Sequence, residues 1–294
     1  MPQNTLTRRH IMQLLIASGA ASMAYAGASA PQYTLRTTEG RAISVWHWRP
    51  RGKRRGTILF SHGAASAPWK YLKLIKPWVG GGFEVHAPLH VDSTDHPKIA
   101  DFPGLASWKA RLEDMHLLAD QLGDTQRLAA GHSYGGLVAL TLAGAAAIAP
   151  PGYAGALRDA RTIAAIAFSP PGPIPTLIDV EGYATLAVPA LIQTGNLDIP
   201  PGAAAEDWRS HLAAYDASAP GGNRYALTLQ GVDHYFGGLI CRPEAQGPQQ
   251  RRQLDVAVRL STLFLKAYGA NDAAARRRLD AEISAAGPVV LTRK

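Results

Sequence analysis

This chain of 294 residues is poor in several things, and each shortage removes a class of protein. Cysteine occurs once, as Cys241, so no internal disulfide can form, and no turn motif surrounds it that would make it a nucleophile. No apolar run reaches the roughly eighteen residues that cross a bilayer, which excludes stable membrane insertion. Aromatic residues make up only 7%, and none is interleaved with the basic runs Arg51-Gly52-Lys53-Arg54-Arg55 and Arg276-Arg277-Arg278. Those runs read as solvated surface, and without a stacking platform or groove-reading helix a nucleic-acid partner is excluded. Internal repeats and low-complexity linkers are missing. Residues 1–30 contain no Asp, Glu or Lys at all.

That last absence defines the N-terminus. Thr7-Arg8-Arg9-His10-Ile11-Met12-Gln13 has the form of a twin-arginine export signal, and a mild apolar stretch follows from Ile11 to Ala26. Ala24-Tyr25-Ala26 and Ala26-Gly27-Ala28 fit a small-x-small cleavage site. Ala28-Ser29-Ala30 fits less well, because Pro31 follows it directly. The expected division is a signal peptide over 1–28 and one folded catalytic domain over 29–294, exported to the periplasm or beyond. The single cysteine agrees with export of an already folded chain. Net charge is +8, and loss of Arg8 and Arg9 leaves +6.

The hydrophobic fraction of 47% is ample for a packed core. Tyr33 to Thr38 and Ala42 to Trp48 alternate as a hairpin about Glu39-Gly40. Thr57-Ile58-Leu59-Phe60 is a continuous apolar run, as in a strand buried on both faces, and Phe83 to Ala87, Arg127 to Ala130, Thr162 to Phe168 and Pro189 to Thr194 read as further strands. Arg224 to Leu229 is read as the last strand. Helical spacing marks 71–79, 105–122, 136–143, 203–217 and 249–268, and an Arg-rich helix with a short tail follows Asp272. Strands alternating with helices predict an α/β fold with a mostly parallel sheet, and a ligand site beyond the carboxyl ends of its strands.

Gly131-His132-Ser133-Tyr134-Gly135-Gly136 stands between the strand at 127–130 and the helix at 136–143. A Gly-x-Ser-x-Gly at a strand-to-helix turn is a nucleophile elbow, which holds the serine hydroxyl proud of the sheet. Serine needs a base to take its proton and an acid to orient that base. Asp198 closes Gln193-Thr194-Gly195-Asn196-Leu197-Asp198, just after the penultimate strand. His234 lies in Gly231-Val232-Asp233-His234-Tyr235-Phe236, just after the last strand, and no other of the ten histidines follows that strand. The order Ser133, Asp198, His234 is the order this chemistry uses on such a sheet. Asp179, after the preceding strand, is an alternative acid, whereas Asp233 is too close in sequence to aim at its neighbour.

A tetrahedral intermediate also needs N–H donors for its oxyanion. Tyr134, the residue after the nucleophile, supplies one. Ala64, in the loop Ser61-His62-Gly63-Ala64-Ala65-Ser66, is the expected second, with Gly63 admitting the substrate closely and His62 bracing the loop. Trp69, Tyr235 and Phe236 are the expected substrate-binding residues. His90, Asp92, Asp95 and His96 share a loop but match no zinc or calcium spacing; they read as a polar loop at the cleft mouth, and no metal or other cofactor is expected.

Phe60-Ser61-His62-Gly63 and Gly131-His132-Ser133-Tyr134-Gly135-Gly136 resemble the α/β-hydrolase superfamily over about residues 33–270. Within it they are similar to dienelactone-hydrolase-like proteins, plasma-type platelet-activating-factor acetylhydrolases and bacterial polyester esterases. The resemblance implies cofactor-free hydrolysis of a small or polymeric carboxylic ester through an acyl-enzyme. The chain departs from dienelactone hydrolases in carrying Ser133 where they have cysteine. It departs from the acetylhydrolases at Ser169-Pro170, where no carboxylate stands. Thioesterase, acyltransferase or peptidase chemistry on the same three residues, or a non-catalytic binding role, are the alternatives. The short stretch from Pro170 to Val188 predicts no large lid.

Overall fold

Strands β3 (Gly56–Ser61), β4 (Phe83–Pro88), β5 (Arg127–His132), β6 (Thr162–Phe168), β7 (Ala190–Gly195) and β8 (Arg224–Leu229) are buried almost throughout. Apolar residues on both strand faces need a helical layer on each side, and that is the arrangement found. The computed structural model describes residues 30–200 and 204–294. The export segment expected over 1–28 lies outside them.

Two strands precede this set, β1 (Tyr33–Arg36) and β2 (Ala42–Trp48), and one follows, β9 (Val289–Arg293). The sheet runs β1-β2-β4-β3-β5-β6-β7-β8-β9. Pairings from β4 through β8 are parallel, and β1–β2, β2–β4 and β8–β9 are antiparallel. β4 and β5 flank β3 on opposite sides, so the direction of winding reverses there and opens a crevice at the carboxyl ends of β3 and β5.

One layer contains α1 (Leu72–Gly80) and α6 (Arg251–Gly269), whose Trp78, Leu260 and Phe264 pack on Ile58, Phe60 and Phe168. The other contains α2 (Leu105–Gln121) and α3 (Tyr134–Leu142), whose Trp108, Leu112 and Leu140 pack on Leu59, Ala129 and Ala165. Ile58 and Phe60 face one layer and Leu59 the other, the period of two that a strand imposes. Short helices α4 (Val180–Ala184) and α5 (Ala213–Ala217) cover the rim, and α7 (Ala273–Asp280) precedes β9. Between β6 and β7 the chain carries only α4 and its flanking turns, so the expected lack of a large lid is found there.

Two expectations fail. Arg224–Leu229 is not the last strand: the tail forms β9, pairing Leu227 with Leu291 and Thr228 with Val290. Five residues carry too little periodicity to show this, and β8 supplies the missing information. The helix expected over 203–217 is instead a 3-10 segment, Ala205–Leu212, leading into α5. A local cap, in which the Asp207 carboxylate accepts from the Ala204 amide, and a tertiary bond from His211 to the Pro170 carbonyl hold this segment in place of a regular helix.

The crossing of β5, α3 and the loop after β3 depends on two glycines. A Cβ on Gly135 would stand 2.0 Å from the Ser61 carbonyl oxygen, and one on Gly131 would stand 2.0 Å from that of Gly135. Both obstacles are backbone and cannot rotate away. Gly135→Ala is expected to destabilise the fold by more than about 3 kcal/mol. Denaturant unfolding of the purified protein measures this, and an unchanged midpoint would contradict the packing described.

Candidate active site

Ser133 caps α3 with φ 53° and ψ −123°, a left-handed-side conformation rare for a residue with a Cβ. Its amide donates to the Phe168 carbonyl at 2.8 Å, and its own carbonyl accepts from Gly136 N at 2.8 Å and Leu137 N at 3.2 Å. These bonds hold the turn while leaving the side chain half-exposed. The elbow is therefore present at the end of β5, beside the crevice.

Asp198 and His234 meet. His234 Nδ1 donates to Asp198 Oδ1 at 2.6 Å, while Thr194 Oγ1 donates to Oδ2 at 2.9 Å. Asp198 is fully buried and His234 partly so. Burial by itself would raise the Asp198 carboxyl. The charge of His234, the adjoining His211 imidazole and the hydrogen bond from His234 outweigh it, holding the group well below the usual carboxylate range. The two loops are brought together at Gly195, where a Cβ would lie 2.2 Å from the Val232 carbonyl oxygen, and Leu197 N donates to that oxygen at 3.0 Å. Gly231 N adds a 2.7 Å bond to Asn196 Oδ1.

The alternative acids are occupied elsewhere. Asp179 caps α4, accepting from Gly182 N at 2.6 Å. Asp233 braces its own loop, accepting from Tyr235 N, Gly237 N and Gln250 Nε2.

Ser133 is linked to the Asp198–His234 pair through the residue before it. The Gly63 amide donates to the Tyr71 hydroxyl at 2.9 Å, the hydroxyl donates to His132 Nδ1 at 3.0 Å, and His132 Nε2 donates to the His234 carbonyl at 2.8 Å. One chain of bonds thus ties the loop after β3, the elbow and the loop after β8. The sequence showed His132 inside the elbow motif, but nothing local marks it as the link. The Ser133 hydroxyl itself forms no hydrogen bond among the described residues. Catalytic hydrogen bonds commonly tighten only when substrate binds.

Around the crevice, Ala65 adopts φ 53° and gives the loop after β3 its sharp turn. Neither Ala64 N nor Tyr134 N donates to a protein group among the described residues. Arg111, fully buried on α2, clamps this loop. It donates to the carbonyls of His62 at 2.7 Å and Gly63 at 3.2 Å and pairs with both Asp92 oxygens, and its guanidinium carbon lies 4.7 Å from the centre of the Tyr134 ring. Arg242 holds the other side through the Ala65 carbonyl at 3.1 Å. His62 braces the loop as expected, between the Gly63 carbonyl and the His90 amide.

Several expectations need correcting. Gly63 does not open the way to substrate: the space a Cβ would take is filled by Tyr71 Oη at 2.9 Å and His132 Nδ1 at 3.0 Å. Phe236 is fully buried in the core with φ 52°, so it presents nothing to a ligand. Trp69 packs on Trp46 at 4.8 Å and lines a groove of about 760 Å³ between α1 and α6 that none of Ser133, Asp198 and His234 borders. Tyr235 alone of the three stays beside the site, its ring 5.0 Å from that of His234, edge to face. His90 and Asp92 are not a cleft-mouth loop but are buried, on Asp114 with Ser61 and on Arg111 respectively. Cys241 is buried, and burial pushes its thiol up, in keeping with an inert role.

Among the described residues two triplets place ligand atoms within 4.8 Å of one another: His47, Glu84 and His86, and Asp198, His211 and His234. The rings of His47 and His86 stack at 4.0 Å and 14°, so their in-plane lone pairs run parallel and do not converge on one ion. In the second triplet Asp198 Oδ1 is already engaged by His234 Nδ1.

A parallel sheet wound about β3, a serine elbow after β5, and an acid–histidine pair after β7 and β8 define the α/β-hydrolase architecture. The model of the alpha/beta hydrolase family matches residues 58–292, and the chain belongs to that family. No curated protein matches the sequence. Solved structures share the fold. A thermostable carboxyl esterase from Bacillus coagulans aligns with TM-score 0.58 and 14% identity over 81% of this chain and 98% of its own. A thermophilic esterase from the Planctomycetes species Thermogutta terrifontis aligns with TM-score 0.58 and 15% identity over 82% of this chain and 92% of its own. A puromycin-hydrolyzing peptidase from Mycobacterium tuberculosis aligns with TM-score 0.56 and 16% identity, and the alignment spans 83% of this chain but only 41% of the peptidase.

Proposed function

We propose that this protein is a serine hydrolase of carboxylic esters, acting after export. The observation that carries the reading is the 2.6 Å bond between His234 Nδ1 and the buried Asp198, standing on the same sheet edge as the strained elbow of Ser133. With Nδ1–H bound to Asp198, neutral His234 keeps its Nε2 lone pair free to act as a base. His234 takes the Ser133 proton as Oγ attacks the ester carbonyl, and the Tyr134 and Ala64 amides receive the oxyanion. His234 then protonates the departing alcohol and leaves an acyl-Ser133. A water deprotonated by His234 attacks the acyl carbon; the acid departs, and the proton returns to Ser133. No step calls on a metal or cofactor. The β6–β7 connection carries no helix longer than α4, and a site without a large lid there suits small esters and polymer chains alike.

The test is covalent labelling. A fluorophosphonate should modify the protein once, on the peptide carrying Ser133, and labelling should abolish hydrolysis of p-nitrophenyl acetate and butyrate. Modification at another residue, or hydrolysis that survives full labelling, overturns the assignment. A panel of short esters, long esters, lactones, phospholipids and polyesters then ranks the substrates.

A further inference from the structure

Asp198 has a second imidazole on it. His211 Nε2 lies 3.1 Å from Asp198 Oδ1, the oxygen that accepts from His234, and the two imidazole rings are 5.6 Å apart. His211 also follows Ser133 in the chain, so chain order by itself does not single out His234; only the position after β8 does.

The protonation state of His211 follows from its two contacts. Nδ1 lies 2.7 Å from the Pro170 carbonyl, which can only accept, so Nδ1 carries a hydrogen. Nε2 is buried and forms no hydrogen bond, but it lies at ion-pair distance, 3.1 Å, from an oxygen of an ionised carboxylate. A neutral ring would leave its Nε2 lone pair beside that carboxylate, so the ion-pair contact favours a hydrogen on Nε2 as well as on Nδ1.

We infer that His211 is a positioning residue for the proposed hydrolase, an imidazolium that shares the Asp198 carboxylate with His234 and extends activity toward lower pH. The inference rests on the triad reading above. Its direction is set by charge. A cation already paired with Asp198 opposes a second positive charge in the same cluster, so the cluster is expected to stay active to lower pH with His211 present than without it. His211 is 4% exposed. Burial pulls its imidazole down, and the adjoining Asp198 carboxylate more than reverses this, leaving it raised. The charged and titratable groups that face it are few. Asp198 comes from the loop after β7, His234 from the loop after β8 and His132 from the end of β5. His132 is held neutral, chiefly by burial and then by the charge of His234. On its own segment, Arg209 turns aside to stack on Trp208 at 4.5 Å.

The experiment follows kcat/KM for p-nitrophenyl acetate from pH 4 to 9 in the full chain and in His211→Gln. In the variant the acid limb should move up by about one pH unit while the plateau changes only a few-fold. A purely structural role would change the plateau or the melting temperature and leave the limb in place; an unmoved limb overturns the inference. If His211→Gln does not fold, histidine 15N shifts of the unaltered protein decide instead. Two protonated nitrogens on His211 at pH 7 support the assignment, and a neutral tautomer overturns it. The NMR result does not depend on turnover. A protein that hydrolyses no ester would sink the esterase reading without touching the charge of His211.

Discussion

Ser133→Ala should lower kcat/KM for p-nitrophenyl acetate by about ten-thousand-fold while leaving the fold intact. The size follows from what the hydroxyl alone contributes. Without Oγ no acyl-enzyme forms, and what remains is direct attack by water in a crevice that can still bind the ester and its oxyanion. The fold should survive because nothing rests on the hydroxyl. Oγ forms no hydrogen bond among the described residues, and the turn is held by the backbone bonds of Ser133 to Phe168, Gly136 and Leu137. Alanine meets the same φ of 53° with the same Cβ, so the strain is unchanged. Steady-state kinetics, with thermal melting as the control, measure both halves. A Ser133→Ala protein of equal activity would leave a binding scaffold or a different nucleophile as the only readings.

The three residues of that mechanism were legible because each sits at the carboxyl end of a strand whose apolar run is obvious. Local pattern located the strands, and the rule that ligands bind at those ends located Ser133, Asp198 and His234. What local pattern missed was whatever depends on partners distant in the chain. Arg111 reads as one more arginine on a helical stretch, yet it is buried because Asp92 and the carbonyls of His62 and Gly63 receive its donors. His211 lies in a stretch expected to be an ordinary helix, and only the meeting of β6, β7 and the 205–212 segment places it on Asp198. Phe236 shows the opposite error. Adjacency to His234 suggested a shared pocket, but a positive φ at Phe236 turns its side chain back into the core. Sequence neighbours in a tight loop diverge in space as readily as they converge.

Asp198→Asn and Asp179→Asn separate the two acids that chain position alone left open. The amide at 198 keeps the size of the carboxyl but not its charge. Its NH2 group competes for the position that accepts from His234 Nδ1, favouring the tautomer whose lone pair faces away from Ser133. Catalysis needs an imidazolium to form on His234, and the charge that stabilises it is gone. A loss of about a thousand- to ten-thousand-fold in kcat is expected, with KM changed little. His211 adds a second consequence. Its imidazolium would be left buried against a neutral amide, so it should lose its proton or the fold should weaken, and Asp198→Asn is expected to melt lower than Ser133→Ala. Asp179→Asn should behave otherwise. Its side chain caps α4 through Gly182 N, and asparagine caps nearly as well, so stability should fall by less than about 1 kcal/mol and kcat should hold. Kinetics and melting curves of the two variants side by side decide the matter, and the reverse pattern would transfer the acid to Asp179.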